Sequence, residues 1–452
     1  MKLPLRLSIV TLVGAALLAT LPAAAQGTAS PPAAAPDVPD TLDLKTSLLF
    51  ALDNNFDIRQ AKERIRQQEG VVVEVSAQLV PNVSAAGSYQ RNSPVLSPYG
   101  DNNTWGLSIN ARQILYAGGG ITAGVKSAQL AGDAAVLAFQ AAVNQALLQV
   151  RTQFYTVLVS RERIKVQEEN VDLLEHQLQD VKNRFEAGTV SNFEVLRAEV
   201  ALANAQTPLI TARNDYRIAI DELRQVLGFT GASRANVSKT PEFVGKLEFT
   251  PVTFDLVSSL ATAQEKRPDL LRLEKLESAA EQGVYIQRAA YYPNVALFGS
   301  YVRNKAPGLN SFGDGLDGGI LGVQSTWNIF DGRATAGRVA QSRSLLEQAK
   351  LAFSEARLAV DVDVRRAISS VQQANELSSA SQKVVQEGEE AVRLANARYS
   401  AGTATQLDVL QSQVDLTTAR LNEVQAYYTF NVATAQLRQA MGLTDELVSG
   451  NQ

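Results

Sequence analysis

The chain has 452 residues, a formal net charge of −4, one histidine and no cysteine. A mildly acidic chain lacks the dense positive charge that nucleic-acid binding needs, so no nucleic-acid partner is expected. Without cysteine there is no disulfide, no thiolate catalysis, no cysteine-ligated metal and no lipid on an N-terminal cysteine.

The first residues read as a secretory signal peptide. Lys2 and Arg6 precede an apolar stretch, Leu7 to Leu21, that is too short to span a bilayer. Ala23-Ala24-Ala25 supplies a small-residue cleavage site, so residues 1–25 are expected to be removed. An uncleaved anchor helix is the alternative, but a polar, proline-rich tract follows at once. That tract, residues 26–41, holds Pro31, Pro32, Pro36 and Pro39 and reads as a flexible lead-in. Beyond it no apolar run approaches the ~18 residues of a membrane-spanning helix. The mature chain is therefore soluble, or it enters a membrane as a β-barrel.

The rest is a duplication. Pro81-Asn82-Val83 matches Pro293-Asn294-Val295, and each is followed by Gly-Ser-Tyr-x-Arg-Asn, at an offset of 212. Farther on the offset is 214: Arg184 to Thr189 matches Arg398 to Thr403, and Arg224 to Gly228 matches Arg438 to Gly442. Blocks held in register at such a period mark an internal repeat. The first copy spans residues 42–230 and the second 254–443, with a linker at 231–253 and a tail at 444–452.

Each copy reads as helix, strand, loop, strand, very long helix, tight turn, long helix. The first helices run from about Thr46 to Leu79 and from about Phe254 to Tyr291. Pro81 and Pro293 stop them, since proline cannot continue a helix. Strands are expected at about 82–91 and 105–115, then 294–303 and 319–329. The stretches between them, 92–104 and 304–318, are rich in Gly, Pro, Asn and Ser and read as loops.

The strands alternate. Trp105, Leu107 and Ile109 share one face with Ala111, opposite Ser108, Asn110 and Arg112; Leu321, Val323 and Trp327 share another, opposite Gly322, Gln324 and Thr326. This suits a lipid-embedded barrel around water, with Trp105, Leu107, Ile109, Leu321 and Val323 toward lipid. A soluble β-sandwich edge would alternate equally well. Four short strands cannot close a barrel, for which ~8 is about the minimum, so a barrel needs several chains.

The helices after the strands, Thr122 to Phe185 and Ala334 to Tyr399, would each be on the order of 100 Å long. Their narrow apolar stripes suit coiled-coil packing with one face left for water. Gly188 and Gly402 break the helical pattern at the two hairpin tips. Ser191-Asn192 and Thr405-Gln406 can cap the next helices, with Glu194 and Asp408 in the first turns. Helix capping explains the pattern by itself; in an oligomer the same acids would also gather around an opening.

These features together resemble the TolC outer-membrane efflux protein family. The residues that carry the resemblance are Asp57-Ile58 and Asp269-Leu270, Pro81 and Pro293 before the strands, and the tip strings Arg184 to Leu196 and Arg398 to Leu410. The resemblance covers about Leu42 to Leu443. It implies a mainly α protein with a β-barrel contribution: a homotrimer whose protomers each give four strands to a 12-stranded outer-membrane barrel in outer-membrane lipid. A periplasmic α-helical barrel continues it toward a periplasmic adaptor (membrane-fusion) protein and an inner-membrane transporter. The function implied is the passive exit duct of a tripartite efflux pump or type I secretion system.

Several site residues follow from the same resemblance. Arg184, Gly188, Thr189, Arg398, Tyr399, Gly402 and Thr403 look like the tip and its adaptor-docking surface. Asp408 occupies the place of a constriction aspartate and Glu194 matches the first-repeat acid. A second constriction aspartate is replaced by Gln411. The arginine of the family's closing latch aligns with Ala404, while its tyrosine is matched by Tyr399, so closure has to use other contacts.

No enzyme and no cofactor are expected. His176 alone cannot make a usual zinc site. Glu168-Glu169 and Glu389-Glu390 read as solvated helix faces rather than acid/base pairs. Gly118-Gly119-Gly120 lacks the Lys-Ser/Thr of a phosphate loop. A non-channel periplasmic coiled-coil scaffold or adhesin is the competing reading. It needs no alternating strands with a lipid-compatible face.

Overall fold

The computed structural model describes residues 40–91, 93, 103–229, 241–305 and 315–449. The expected signal peptide, nearly all of the lead-in, both expected loops for most of their length, and linker residues 231–240 lie outside the described residues. By packing the chain divides into two units, residues 1–40 with 230–241 and residues 41–229 with 242–452. All the elements below belong to the second unit.

In the first copy, β1 (Thr41–Leu42) leads into α1 (Leu44–Asn54) and α2 (Phe56–Ser76); β2 (Asn82–Arg91) and β3 (Asn103–Ala117) follow, then α3 (Gly120–Glu186) and α4 (Asn192–Leu227). In the second, β4 (Glu242–Phe243) precedes α5 (Leu256–Lys266) and α6 (Pro268–Arg288); β5 (Asn294–Asn304) and β6 (Leu316–Thr326) follow, then α7 (Ala334–Ser400), α8 (Gln406–Ala440) and a short α9 (Glu446–Ser449). The order of elements repeats. α3 and α7 are each 67 residues, about 100 Å at 1.5 Å per residue. No helix among the described residues is long and apolar enough to cross a membrane.

Several boundaries differ from the sequence reading. Each expected first helix is two helices. Asn55 ends α1 with an extended backbone, and its side chain accepts from the N–H groups of Asp57 and Ile58 to start α2. In the second copy Arg267 is extended and Pro268 opens α6, because proline disfavours helical backbone before it and suits a first helical position. The last strand also ends at Thr326 rather than Ile329. Thr326 pairs with Asn294, the first residue after Pro293, and beyond that point β5 offers no ladder to pair with.

The four longer strands form one antiparallel sheet in the order β2-β3-β5-β6, so the β3–β5 pairing joins the two copies. The bends into α3 and α7 each use two successive left-handed residues, Gly118 (φ 60°) with Gly119 (φ 79°), and Gly332 (φ 64°) with Arg333 (φ 73°). At Arg333 the strained backbone is offset by Asp331, whose carboxylate accepts from the Thr335 N–H at 2.7 Å and its hydroxyl at 2.5 Å.

α3 packs against α2, α4, α6 and α8, while α7 packs against α6 and α8. Two apolar clusters hold this together. One gathers Leu48, Leu147, Phe154, Leu158, Leu223 and Phe243; the other gathers Val360, Val364, Val371, Phe430 and Leu437. Each fully buried Leu or Phe is worth about 1.5–3 kcal/mol. The C-terminal segment is clamped to α3 by a bidentate pair in which Arg151 donates to both Asp445 oxygens at 2.8 and 2.6 Å.

Candidate functional site

Register divides the sheet into two unlike faces. Rows such as Ala85–Ile109–Tyr301–Gly319 and Val83–Ala111–Gly299–Leu321 put Val83, Tyr89, Trp105, Leu107, Ile109, Leu297, Tyr301, Leu321 and Val323 on one side. Trp105 is half-buried, but Leu107 and Ile109 are 44% and 47% exposed and Leu321 and Val323 79% and 64%. Among the described residues nothing covers most of this surface, which is the condition a lipid-facing wall requires. The other face is polar along β2 and β3, with Asn82, Ser84, Ser88, Gln90, Thr104, Ser108, Asn110 and Arg112; on β5 and β6 it is mixed, Ser300 and Gln324 standing beside Phe298, Val302, Leu316 and Ile320. Ser300 donates to Asn110 Oδ1 at 2.7 Å and Asn110 Nδ2 donates to Ser108 at 3.1 Å. Pro81 and Pro293 stand just before β2 and β5, each after a 3₁₀ turn, Ala77–Leu79 and Ala289–Tyr291.

The two hairpin tips have the same backbone. Gly188 (φ 73°) and Gly402 (φ 72°) are left-handed. The Gly188 N–H donates to Phe185 O at 2.9 Å and the Thr189 N–H to Arg184 O at 2.9 Å; Gly402 to Tyr399 O at 3.0 Å and Thr403 to Arg398 O at 2.9 Å repeat the motif. The hydroxyls of Thr189 and Thr403 also donate to Arg184 O and Arg398 O, at 2.9 and 3.1 Å. The string Arg-x-x-x-Gly-Thr therefore encodes a closed helix end: glycine takes the left-handed position and threonine ties off the last carbonyl.

The next residues differ between tips. Thr405 and Asp408 form a reciprocal capping box: the Thr405 N–H and hydroxyl donate to Asp408 Oδ2 at 2.7 and 2.8 Å. Those bonds hold the Asp408 carboxyl below the usual carboxylate range. Ser191 makes no side-chain cap, and Glu194 is half-buried in the first turn of α4. Asp408 is exposed with one oxygen committed to the cap.

Two features at the tips were not in the sequence reading. Arg184 lies over the Tyr399 ring, 5.0 Å from its centroid, joining one hairpin to the other. Tyr399 is half-buried, which raises its pKa, and its hydroxyl meets no hydrogen-bond partner among the described residues. Gln406, read as a capping residue, is only 2% exposed, and neither of its amide atoms has a partner among the described residues. His176 is an exposed residue of α3, 3.7 Å from Asp172.

The profile of the outer membrane efflux protein family matches residues 50–229 and 260–443, one stretch per copy. The chain belongs to this family. It is an outer-membrane channel protein of export systems, with a periplasmic portion in a Gram-negative envelope, and the scaffold reading falls away. Protein CyaE of Bordetella pertussis is 27% identical over 89% of this chain and 85% of its own. The pyoverdine export outer membrane protein OpmQ of Pseudomonas aeruginosa is 28% identical over 91% of this chain and 86% of its own. The structure of the Campylobacter jejuni CmeC outer membrane channel superposes with a TM-score of 0.76 at 15% identity, covering 90% of this chain and 88% of that one.

Proposed function

We propose that three copies of this chain assemble into a hollow duct, with a 12-stranded barrel in outer-membrane lipid and an α-helical barrel in the periplasm. The observation that carries this reading is the sheet: among the described residues it has four strands, with one face apolar and uncovered, the other polar along β2 and β3, and β2 and β6 pairing on one side only. In hydrocarbon every backbone group must be paired, so an open-edged sheet cannot sit in a bilayer alone. Edge β2 of one copy against edge β6 of the next closes the ring, and the unlike edges make the contact head-to-tail. The helices support the same geometry. α2 and α4 leave Val73, Val200 and Ile210 exposed, and α7 leaves Leu351, Leu358 and Val384 exposed.

The duct performs no chemistry; it offers a water-filled path, and energy comes from an inner-membrane transporter reached through a periplasmic adaptor. Arg184, Gly188, Thr189, Arg398, Gly402 and Thr403 form the docking surface, with Tyr399 between the hairpins. Glu194 and Asp408 bring acids to the mouth. Purified protein should run as a heat-modifiable trimer from the outer-membrane fraction and conduct ions in planar bilayers. A lipid-reconstituted monomer without conductance would refute the proposal. Crosslinking at Thr189 and Thr403 tests the docking assignment, which fails if no inner-membrane complex co-purifies.

A further inference from the structure

Arg112 stands alone on the polar face of the sheet. Its register row is Asn82–Arg112–Phe298–Gly322, and the adjoining rows are Ser84–Asn110–Ser300–Ile320 and Ile114–Ala296–Gln324. Among the strand residues of this face, Arg112 is the one charged side chain. The other charged residues of the four strands, Arg91, Arg303 and Asp317, belong to the apolar face near its loop end. Arg112 is exposed and takes part in no ion pair among the described residues. A guanidinium does not give up its proton, so this is a fixed positive charge.

The neighbourhood adds a flat apolar surface. Phe298 is the cross-strand partner of Arg112, and its ring lies against Gly322: a Cβ built there would fall 2.9 Å from Phe298 Cζ. Among the described residues the wall therefore carries an unpaired cation beside an aromatic ring, with uncharged Ser, Asn and Gln around it and Ile114, Ala296 and Ile320 adding to the apolar part.

We infer that Arg112 is a selectivity residue of the barrel, forming a ring of fixed positive charge in the lumen that favours small organic anions bearing a carboxylate. The inference rests on the channel reading, which turns this face toward water and brings one Arg112 from each copy. Rings of one sign set the charge preference of a pore. The reach of such a ring is short, since the Debye length is ~8 Å at physiological salt and ~3 Å at 1 M. The ring lies at a different level from Asp408 and Glu194, so mouth and barrel filter cargo in series with opposite sign.

The test is the reversal potential of the purified channel in planar bilayers under gradients of potassium benzoate. At 0.1 M, Arg112→Gln should lower the benzoate-to-potassium permeability ratio roughly twofold and Arg112→Glu more, with the difference fading at 1 M. Arg112→Lys should match the wild type. Because the chain has no cysteine, Arg112→Cys introduces a single thiol; a cationic methanethiosulfonate should restore the ratio and an anionic one depress it further. Conducting channels whose ratio is the same for wild type and Arg112→Gln would overturn the inference alone. A thiol at 112 that reacts only with lipid-soluble reagents would also overturn it. A wild-type protein that passes no ions would overturn the channel reading and the inference with it.

Discussion

Arg184, at the end of the first hairpin, stacks its guanidinium 5.0 Å from the ring centroid of Tyr399, at the end of the second. The contact ties α3 to α7. The ring rather than the hydroxyl makes it, since that hydroxyl meets no partner among the described residues. A cation–π pair of this exposure is worth about 0.5–1 kcal/mol. Arg184→Ala and Tyr399→Ala should therefore raise basal single-channel open probability a few-fold, and Tyr399→Phe should not. Arg184→Lys should fall between, because an ammonium lacks the planar stacking surface. Equal effects of Tyr399→Phe and Tyr399→Ala would remove the ring from the latch.

Gln406 predicts a change in the other direction. A buried amide without partners costs about 1–3 kcal/mol, and an apolar group of similar shape relieves that cost. Gln406→Leu should stabilise the packed tip by about 1 kcal/mol, seen as a higher melting temperature and a lower open probability. A melting temperature below that of the wild type would show that the amide is satisfied in the assembled channel.

Gly228 and Gly442 close the return helices against the breaks between the first helices of each copy. Both are left-handed, at φ 77° and 73°; a Cβ at Gly228 would run into Asn54 O, and one at Gly442 would lie 2.7 Å from the Arg267 nitrogen. Gly228→Ala and Gly442→Ala should each destabilise the protein by ~2 kcal/mol or more, through positive φ and the clash together. Gly188→Ala meets no neighbour within 4 Å and should cost less, by thermal unfolding of the same detergent-solubilised sample.

The Asp408 cap gives the tip a pH dependence whose sign follows from its lowered pKa. A depressed carboxyl stabilises the folded tip above its ordinary value near 3.9, and the contribution is lost as pH falls through the lower folded value. A spin label at Gln411→Cys should therefore stay immobile down to about pH 4 and loosen below it. Asp408→Asn should abolish the acid step, and its persistence would assign it to another group.

Much of the fold was legible because the punctuation is strong. Pro81 and Pro293 end helices, Gly188 and Gly402 turn hairpins, and the repeat shows every signal twice. The breaks at Asn55 and Arg267 were harder to read. Helical periodicity runs through both and outweighs the local marks, Asn55 as a cap and Pro268 at a helix start, while Gly228 and Gly442 pack against the breaks from far away in the chain. Pairing of two-residue strands, Thr41 with Glu242 and Leu42 with Phe243, leaves no local pattern at all. At the tips, residue types announced turns and caps. The stacking of Arg184 on Tyr399 and the burial of Gln406 depend on the rotational phase of one hairpin against the other, which no single segment specifies.

Duplication gives each chain two hairpin ends with the same backbone, yet only the second carries a reciprocal cap. In a closed ring of three, firm ends would alternate with yielding ones, six in all. A partner gripping that rim would meet threefold rather than sixfold symmetry. It would move the uncapped ends first, so widening would begin as a triangle.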